Sequence, residues 1–190
     1  MLDQDQRDTL LRVAADSIHH GLRTGKALPV SVEDFPPALG EVGASFVTLK
    51  INEQLRGCIG TLEAFRPLIE DVANNAYAAA FGDPRFPPLT EAEYPKLQYH
   101  ISVLAPPEPL PCTSEDELLA GLRPGVDGLV IEDQGHRATF LPSVWESLPT
   151  PTLFLQHLKT KAGLSNTHWS DTFSCQRYTV EEFGSHDRQA

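Results

Sequence analysis

Long apolar runs are missing from this sequence. None approaches the roughly 20 residues that a helix needs to cross a bilayer, so no membrane span is expected. The opening residues, MLDQDQRDTL, carry acids and no apolar core segment, and a secretory signal is not expected there. Cysteine is scarce: Cys58, Cys112 and Cys175 are widely spaced and leave one thiol unpaired in any disulfide scheme. Together these absences predict a cytoplasmic protein with reduced thiols. Positive charge is also in short supply. Against 26 Asp and Glu there are 15 Lys and Arg, a formal net charge of -11. That balance opposes sequence-independent nucleic-acid binding, which needs Lys and Arg to neutralise phosphates, although it permits a local basic pocket. Much of the excess lies between Glu108 and Asp133, where seven carboxylates face only Arg123. A solvated acidic face is the plain reading of that stretch, and a partner-docking surface is the other. There is no GxGxxG, GxxxxGK[ST], CxxC, HExxH or GxSxG. His157 and His168 are too far apart for the i, i+4 metal pattern, so no metal is expected and no cofactor is indicated.

What remains is a chain of 190 residues, enough for one ordinary domain with room for a smaller lobe. Asp3 with Gln6 three residues on marks a capping box, and Leu11, Ala14, Ala15, Ile18 and Leu22 form one helical face. Gly21 and Gly25 are its candidate stops. Residues 44–51 read as a strand, Asn52-Glu53 as a short turn, and 54–60 as the returning strand of a hairpin. Pro67 suits a first helical position, and Glu70 and Asp71 suit the positive end of that helix. Leu68, Ile69, Val72, Ala73, Ala76, Ala79 and Ala80 cover more than one face, so this helix should be buried and, through its alanines, close to a sheet. It should end near Phe81-Gly82, before a loop stiffened by Pro84, Pro87 and Pro88. Farther on, the pattern predicts a strand at 99–104, a short helix at 114–122 with a Ser cap, and a hairpin of 128–133 and 136–141 around Gln134-Gly135. Helical segments at 142–148 and 150–162 follow, the latter stopped by Gly163, and a final strand at 173–180. Hairpins mixed with helices favour an α+β fold with mixed or antiparallel sheets over a doubly wound parallel sheet.

The most informative stretch is Leu55-Arg56-Gly57-Cys58-Ile59-Gly60. Strand alternation would put Arg56 and Cys58 on one face and Leu55, Gly57 and Ile59 on the other. A guanidinium near a thiol favours the thiolate, the reactive form, so Cys58 is a candidate nucleophile; equally, an unpaired cysteine can be a small buried hydrophobe. Arg56 could bind an anionic group with its planar fork or brace a carboxylate of the fold. Gly57 and Gly60 remove bulk where a backbone or ligand could come close. Asp83 and Arg85, in the stiff loop, could line the same cleft, or Asp83 could cap a turn and pair with Arg85. Phe86 reads as a loop anchor. Cys112 and Cys175 read as packing residues. His100, on a strand face with Ser102 and Leu104, and His136 are the histidines nearest a catalytic setting, but spacing connects neither to Cys58.

From Leu55 to Gly60 the sequence closely resembles the AMMECR domain family, whose prokaryotic members are called AmmeMemoRadiSam system protein A. The resemblance extends through Phe46-Val47-Thr48-Leu49, Gly60-Thr61-Leu62-Glu63, Ala79-Ala80-Phe81 and Asp83-Pro84-Arg85-Phe86-Pro87-Pro88. It continues in order through Ile101-Ser102-Val103-Leu104, Asp127-Gly128-Leu129, Phe140-Leu141-Pro142 and Lys161-Ala162-Gly163-Leu164, so that matched blocks span about residues 10–180. It implies a single domain over residues 1–190 of α+β fold, with a larger and a smaller lobe, and a site at the hexapeptide with Arg56 and Cys58 as its polar members. It also implies a pathway shared with a Memo-like protein and a radical S-adenosylmethionine protein. Two positions depart from the family pattern: His100 stands at an expected variable position, and Ser143 stands where a longer polar residue is usual.

Two functions are therefore expected. In the first, the chain is an enzyme or enzyme component acting on a small-molecule or nucleotide-like substrate, with Arg56 orienting an oxygen, Cys58 reacting, Asp83 and Arg85 bracing the cleft, and Gly57 and Gly60 leaving room. In the second, it is a non-catalytic binding module for those two partners, and Cys58 merely packs.

Overall fold

The computed structural model describes residues 1–185. The chain forms two compact units, Met1–Leu104 with the segment from Glu181, and Ala105–Val180. The fold is α+β, with an antiparallel sheet and covering helices in each unit.

In the first unit, α1 (Gln4–Thr24) starts at the Asp3–Gln6 capping box and ends at Gly25, whose φ of 71° is the left-handed conformation glycine tolerates. Gly21 is not a stop. It lies inside α1, where the Tyr77 and Phe81 rings leave no room for a Cβ. β1 (Val42–Ile51) and β2 (Gln54–Gly60) form the expected hairpin, and Asn52 and Glu53 both adopt positive φ, the primed turn that matches strand twist. After β3 (Arg66–Pro67), α2 (Leu68–Phe81) begins with Pro67 as its cap rather than its first turn. β4 (Gln98–Leu104) completes this stretch of the chain. Val47, Leu49 and Ile101 face the helices and build one apolar core with Ile18, Ile69, Val72 and Ala76. Each such large aliphatic side chain contributes roughly 1.5–3 kcal/mol on burial.

The second unit contains β5 (Glu108–Pro109), α3 (Glu115–Gly121), β6 (Gly128–Asp133), β7 (His136–Phe140), α4 (Pro151–Lys161) and β8 (Ser174–Tyr178). Its sheet runs β5-β8-β6-β7. Its own core gathers around Phe154, stacked on Trp145 at 3.8 Å, with Leu118, Leu129, Ile131 and Leu158. The helical segment expected at 142–148 is a 3-10 helix over Pro142–Glu146. The expected last strand is in fact two. β8 stops at Tyr178, and β9 (Val180–Gly184) carries the chain into the first sheet, giving the order β2-β1-β4-β9. Alternation at 173–180 says nothing about which sheet a strand joins, so the switch was not legible there.

Candidate functional site

β2 is an edge strand, and its pairing with β1 contains a bulge. Ile51 pairs with Gln54 and Lys50 with Leu55, but Leu49 pairs with Gly57, so Arg56 is the extra residue. The bulge interrupts the period of two. Leu55 and Gly57 no longer share a face, and Arg56 and Cys58 do not stand in one row.

Arg56 is 8% exposed and turned to the loop after α2. Its Nε donates to Glu93 Oε1 (2.8 Å), and its Nη2 donates to Glu93 Oε2 (3.2 Å) and to the Pro87 carbonyl (2.9 Å). Its guanidinium also lies 5.8 Å from the centroid of the Phe86 ring. Glu93 additionally accepts from the Thr90 N–H and hydroxyl. Arg56 foremost, then Thr90, hold the Glu93 carboxyl down at about 2. Arg56 thus braces the fold, one of the two expected readings. Its Nη1 nevertheless is buried without a hydrogen-bond partner among the described residues, an unsatisfied donor that an ordinary brace does not need.

Cys58 is half-buried and belongs to a polar row. Its Sγ lies 3.1 Å from Thr48 Oγ1. Thr48 is paired on its other side with His100, so the sheet sets Cys58, Thr48 and His100 abreast on β2, β1 and β4. This row is on the face away from the core-facing Val47, Leu49 and Ile101. The outward edge of β2 is capped at this point by the loop. The Cys58 N–H donates to Asp83 Oδ2 (2.9 Å), and Arg85 Nη2 donates to the Cys58 carbonyl (3.2 Å). Arg85 and Asp83 pair through two further bonds of 2.9 and 2.7 Å. Arg85 holds the buried Asp83 carboxyl well below the usual carboxylate range, helped by the Cys58 N–H, and Asp83 in turn pushes the Arg85 guanidinium up. The Cys58 thiol adds to the charge and hydrogen-bond surroundings of Arg85, whose side chain is 55% exposed. The guanidinium bonded to Cys58 is therefore Arg85, 27 positions downstream, rather than Arg56, and the bond is to the Cys58 carbonyl.

The glycines of the hexapeptide have their space filled by the protein. A Cβ at Gly57 would lie 2.0 Å from the Ala79 carbonyl oxygen, so Gly57 lets α2 seat against β2. A Cβ at Gly60 would meet the Phe46 ring at 2.2 Å. Neither position opens room on its side-chain side for a ligand.

Thr48, Glu93 and Asp71 hold parts of this arrangement that the sequence alone does not single out. Counting back from the Asn52-Glu53 turn puts Thr48 opposite Gly57; only the bulge brings it opposite Cys58. Glu93 carried no local signal, because its partner is 37 residues away. Asp71, read as a helix-end charge, is fully buried and accepts from the Ser45 N–H and hydroxyl, Thr61, Arg66 and Asn75, tying α2 to β1 and to the chain leaving β2. Among the described residues no group of three or more His, Cys, Asp or Glu side chains is gathered as a metal ion would require. No helix among them is long and apolar enough to cross a membrane.

A family model described as AMMECR1 matches residues 11–183. The chain belongs to the AMMECR1 family. A protein of Methanothermobacter thermautotrophicus is 38% identical over 168 residues, covering 86% of this chain and 85% of its own. One from Thermotoga maritima is 36% identical over 169 residues, covering 87% and 91%. The crystal structure of the uncharacterized protein PH0010 from Pyrococcus horikoshii is similar to this fold with a TM-score of 0.78 at 34% identity, over 92% of this chain and 89% of that one. In this AMMECR1 member the hexapeptide strand therefore sits at a sheet edge sealed by the Asp83–Arg85 loop.

Proposed function

We propose that this chain is an enzyme or enzyme component that acts on a small-molecule or nucleotide-like substrate through the Cys58 thiol. The observation that carries this reading is the setting of Cys58: half-buried, in contact with the Thr48 hydroxyl through its thiol, and bonded through its carbonyl to the exposed guanidinium of Arg85. Arg85 is the group to take an anionic or carbonyl oxygen next to the thiol. Asp83 fixes Arg85 and the Cys58 backbone together, and Arg56 positions the loop that carries both. His100 lies one strand beyond Thr48, so a proton leaving Cys58 has a hydroxyl in contact and an imidazole farther along the row. A Memo-like protein and a radical S-adenosylmethionine protein are the proposed pathway partners, a placement that rests on the family resemblance.

The test is alkylation of the three thiols by iodoacetamide in the folded protein, followed residue by residue with mass spectrometry. Cys58 should label faster than Cys112 and Cys175. Protection of Cys58 until the protein unfolds would overturn the thiol reading.

A second reading, a binding module for those partners, is favoured by the internal pairing of Arg56, Asp83 and Glu93, which resembles scaffolding more than a working site. In that reading Cys58→Ser retains function in the pathway, and Arg56→Ala loses it together with the loop.

A further inference from the structure

Two cysteines remain outside the site, and the second unit brings them together. Cys112 and Cys175 are 63 positions apart, yet their Sγ atoms lie 3.6 Å from one another. The approach is fixed by the backbone on both sides. Glu108 and Pro109 pair with Arg177 and Gln176, the Leu110 N–H donates to the Cys175 carbonyl (2.9 Å), and Thr113 is held by Glu117 through both its N–H and its hydroxyl. Cys112 is therefore pinned between two anchored segments, and Cys175, the second residue of β8, is locked opposite Ile131. Closing the gap to a covalent bond of about 2.05 Å asks for side-chain rotation rather than rearrangement of strands.

We propose that Cys112 and Cys175 form a reversible disulfide clasp within the second unit, closed by a low-molecular-weight disulfide such as oxidised glutathione. The two sulfurs are unequal. Cys112 is half-buried and accessible, whereas Cys175 is 6% exposed. Burial foremost, with Cys112 adding to it, pushes the Cys175 thiol up, and the fully buried ammonium of Lys159 pulls the other way. Exchange therefore begins at Cys112. Its thiolate attacks one sulfur of the small disulfide, forms a mixed disulfide and expels one thiolate. The Cys175 sulfur, losing its proton, then attacks the Cys112 sulfur and expels the second. One small disulfide is reduced to two thiols, and the two cysteine thiols are oxidised to one disulfide. The new bond ties the segment after β5 to β8, across most of the second unit, and restricts that unit's unfolded chain.

This proposal is independent of the role of Cys58. Its test is incubation of the intact reduced protein with oxidised glutathione, followed by acid quenching, non-reducing peptide mapping and thermal unfolding. The expected result is a linked pair of peptides holding Cys112 and Cys175, two hydrogen masses lighter than their sum, whatever the state of Cys58. The unfolding midpoint should rise by on the order of 10 °C and fall back with dithiothreitol. The Cys175→Ser variant should stop at glutathione on Cys112. A glutathione adduct that persists on wild-type Cys112, a link that includes Cys58, an unchanged midpoint after oxidation, or no reaction while the protein stays folded would each overturn it.

Discussion

Arg56 and Glu93 illustrate what a bulged residue can do. Released from the alternation of β2, Arg56 reaches the Pro87 carbonyl and the Glu93 carboxylate, and Glu93 is held at about 2 against an ordinary 4.5. A carboxyl with a depressed folded-state value favours the native state above its unfolded value and loses that contribution as pH falls toward the folded one. The first unit should therefore weaken between about pH 4.5 and pH 2, and Glu93→Gln should flatten that part of its melting-temperature profile. Asp133 in the second unit is held at about 2 by Thr172 first, then His168 and Ser170, so the same loss should appear there between its ordinary 3.8 and 2. Asp133→Asn should remove it without affecting the Glu93-linked loss, and amide exchange resolved by segment would separate the two. An Arg56→Lys change keeps the charge but loses the fork that spans Glu93 and Pro87. Loosening of the loop at 83–97, read by hydrogen exchange, is the expected outcome.

At the scale of elements, the hexapeptide owes its glycines to packing. Gly57→Ala would drive a methyl into the Ala79 carbonyl, a backbone atom of a helix also tied down by Asp71, and should destabilise the protein by on the order of 3 kcal/mol in urea unfolding. Gly60→Ala meets the ring of Phe46, a side chain with more freedom to shift, so its effect should be smaller. Much of this level was legible in the sequence. The Asp3 cap, the Asn52-Glu53 turn, the alanine-lined α2 and the Gly163 stop all follow from local chemistry that the rest of the chain does not override. The bulge at Arg56 was not legible, because nothing in Gln54–Gly60 signals an extra residue beyond the glycine that follows it. One inserted residue moved Thr48 from Gly57 to Cys58, and with it the neighbours of the thiol. The partner of the Cys58 carbonyl also came from elsewhere, since Arg85, held by Asp83, donates to it, a tertiary arrangement with no local period.

Across the whole molecule, charge and topology set the expectations. With a net charge of -11, binding to single-stranded RNA should be absent at physiological salt, and retention of RNA on a filter under those conditions would contradict that. The order of strands bears on how the chain reaches its native state. β4 and β9 are neighbours in one sheet, with Tyr99 bonded to Ser185 and Ser102 to Glu182, yet all of Ala105–Thr179 lies between them in sequence. With that stretch unfolded, bringing β9 to β4 means closing a long, floppy loop, and the entropy of closure falls on a strand of five residues. Once the stretch has folded, its ends are clasped by the Ala105 N–H donating to the Thr179 carbonyl at 2.9 Å, and β9 emerges beside β4 as if from a tight hairpin. A distant pairing thereby becomes a local one, and the order of events is set. In pulse-labelled refolding, amides of Gly128–Asp133 should gain protection before those of Val180–Gly184, so the strand that leaves the second unit finds its place only after that unit has formed.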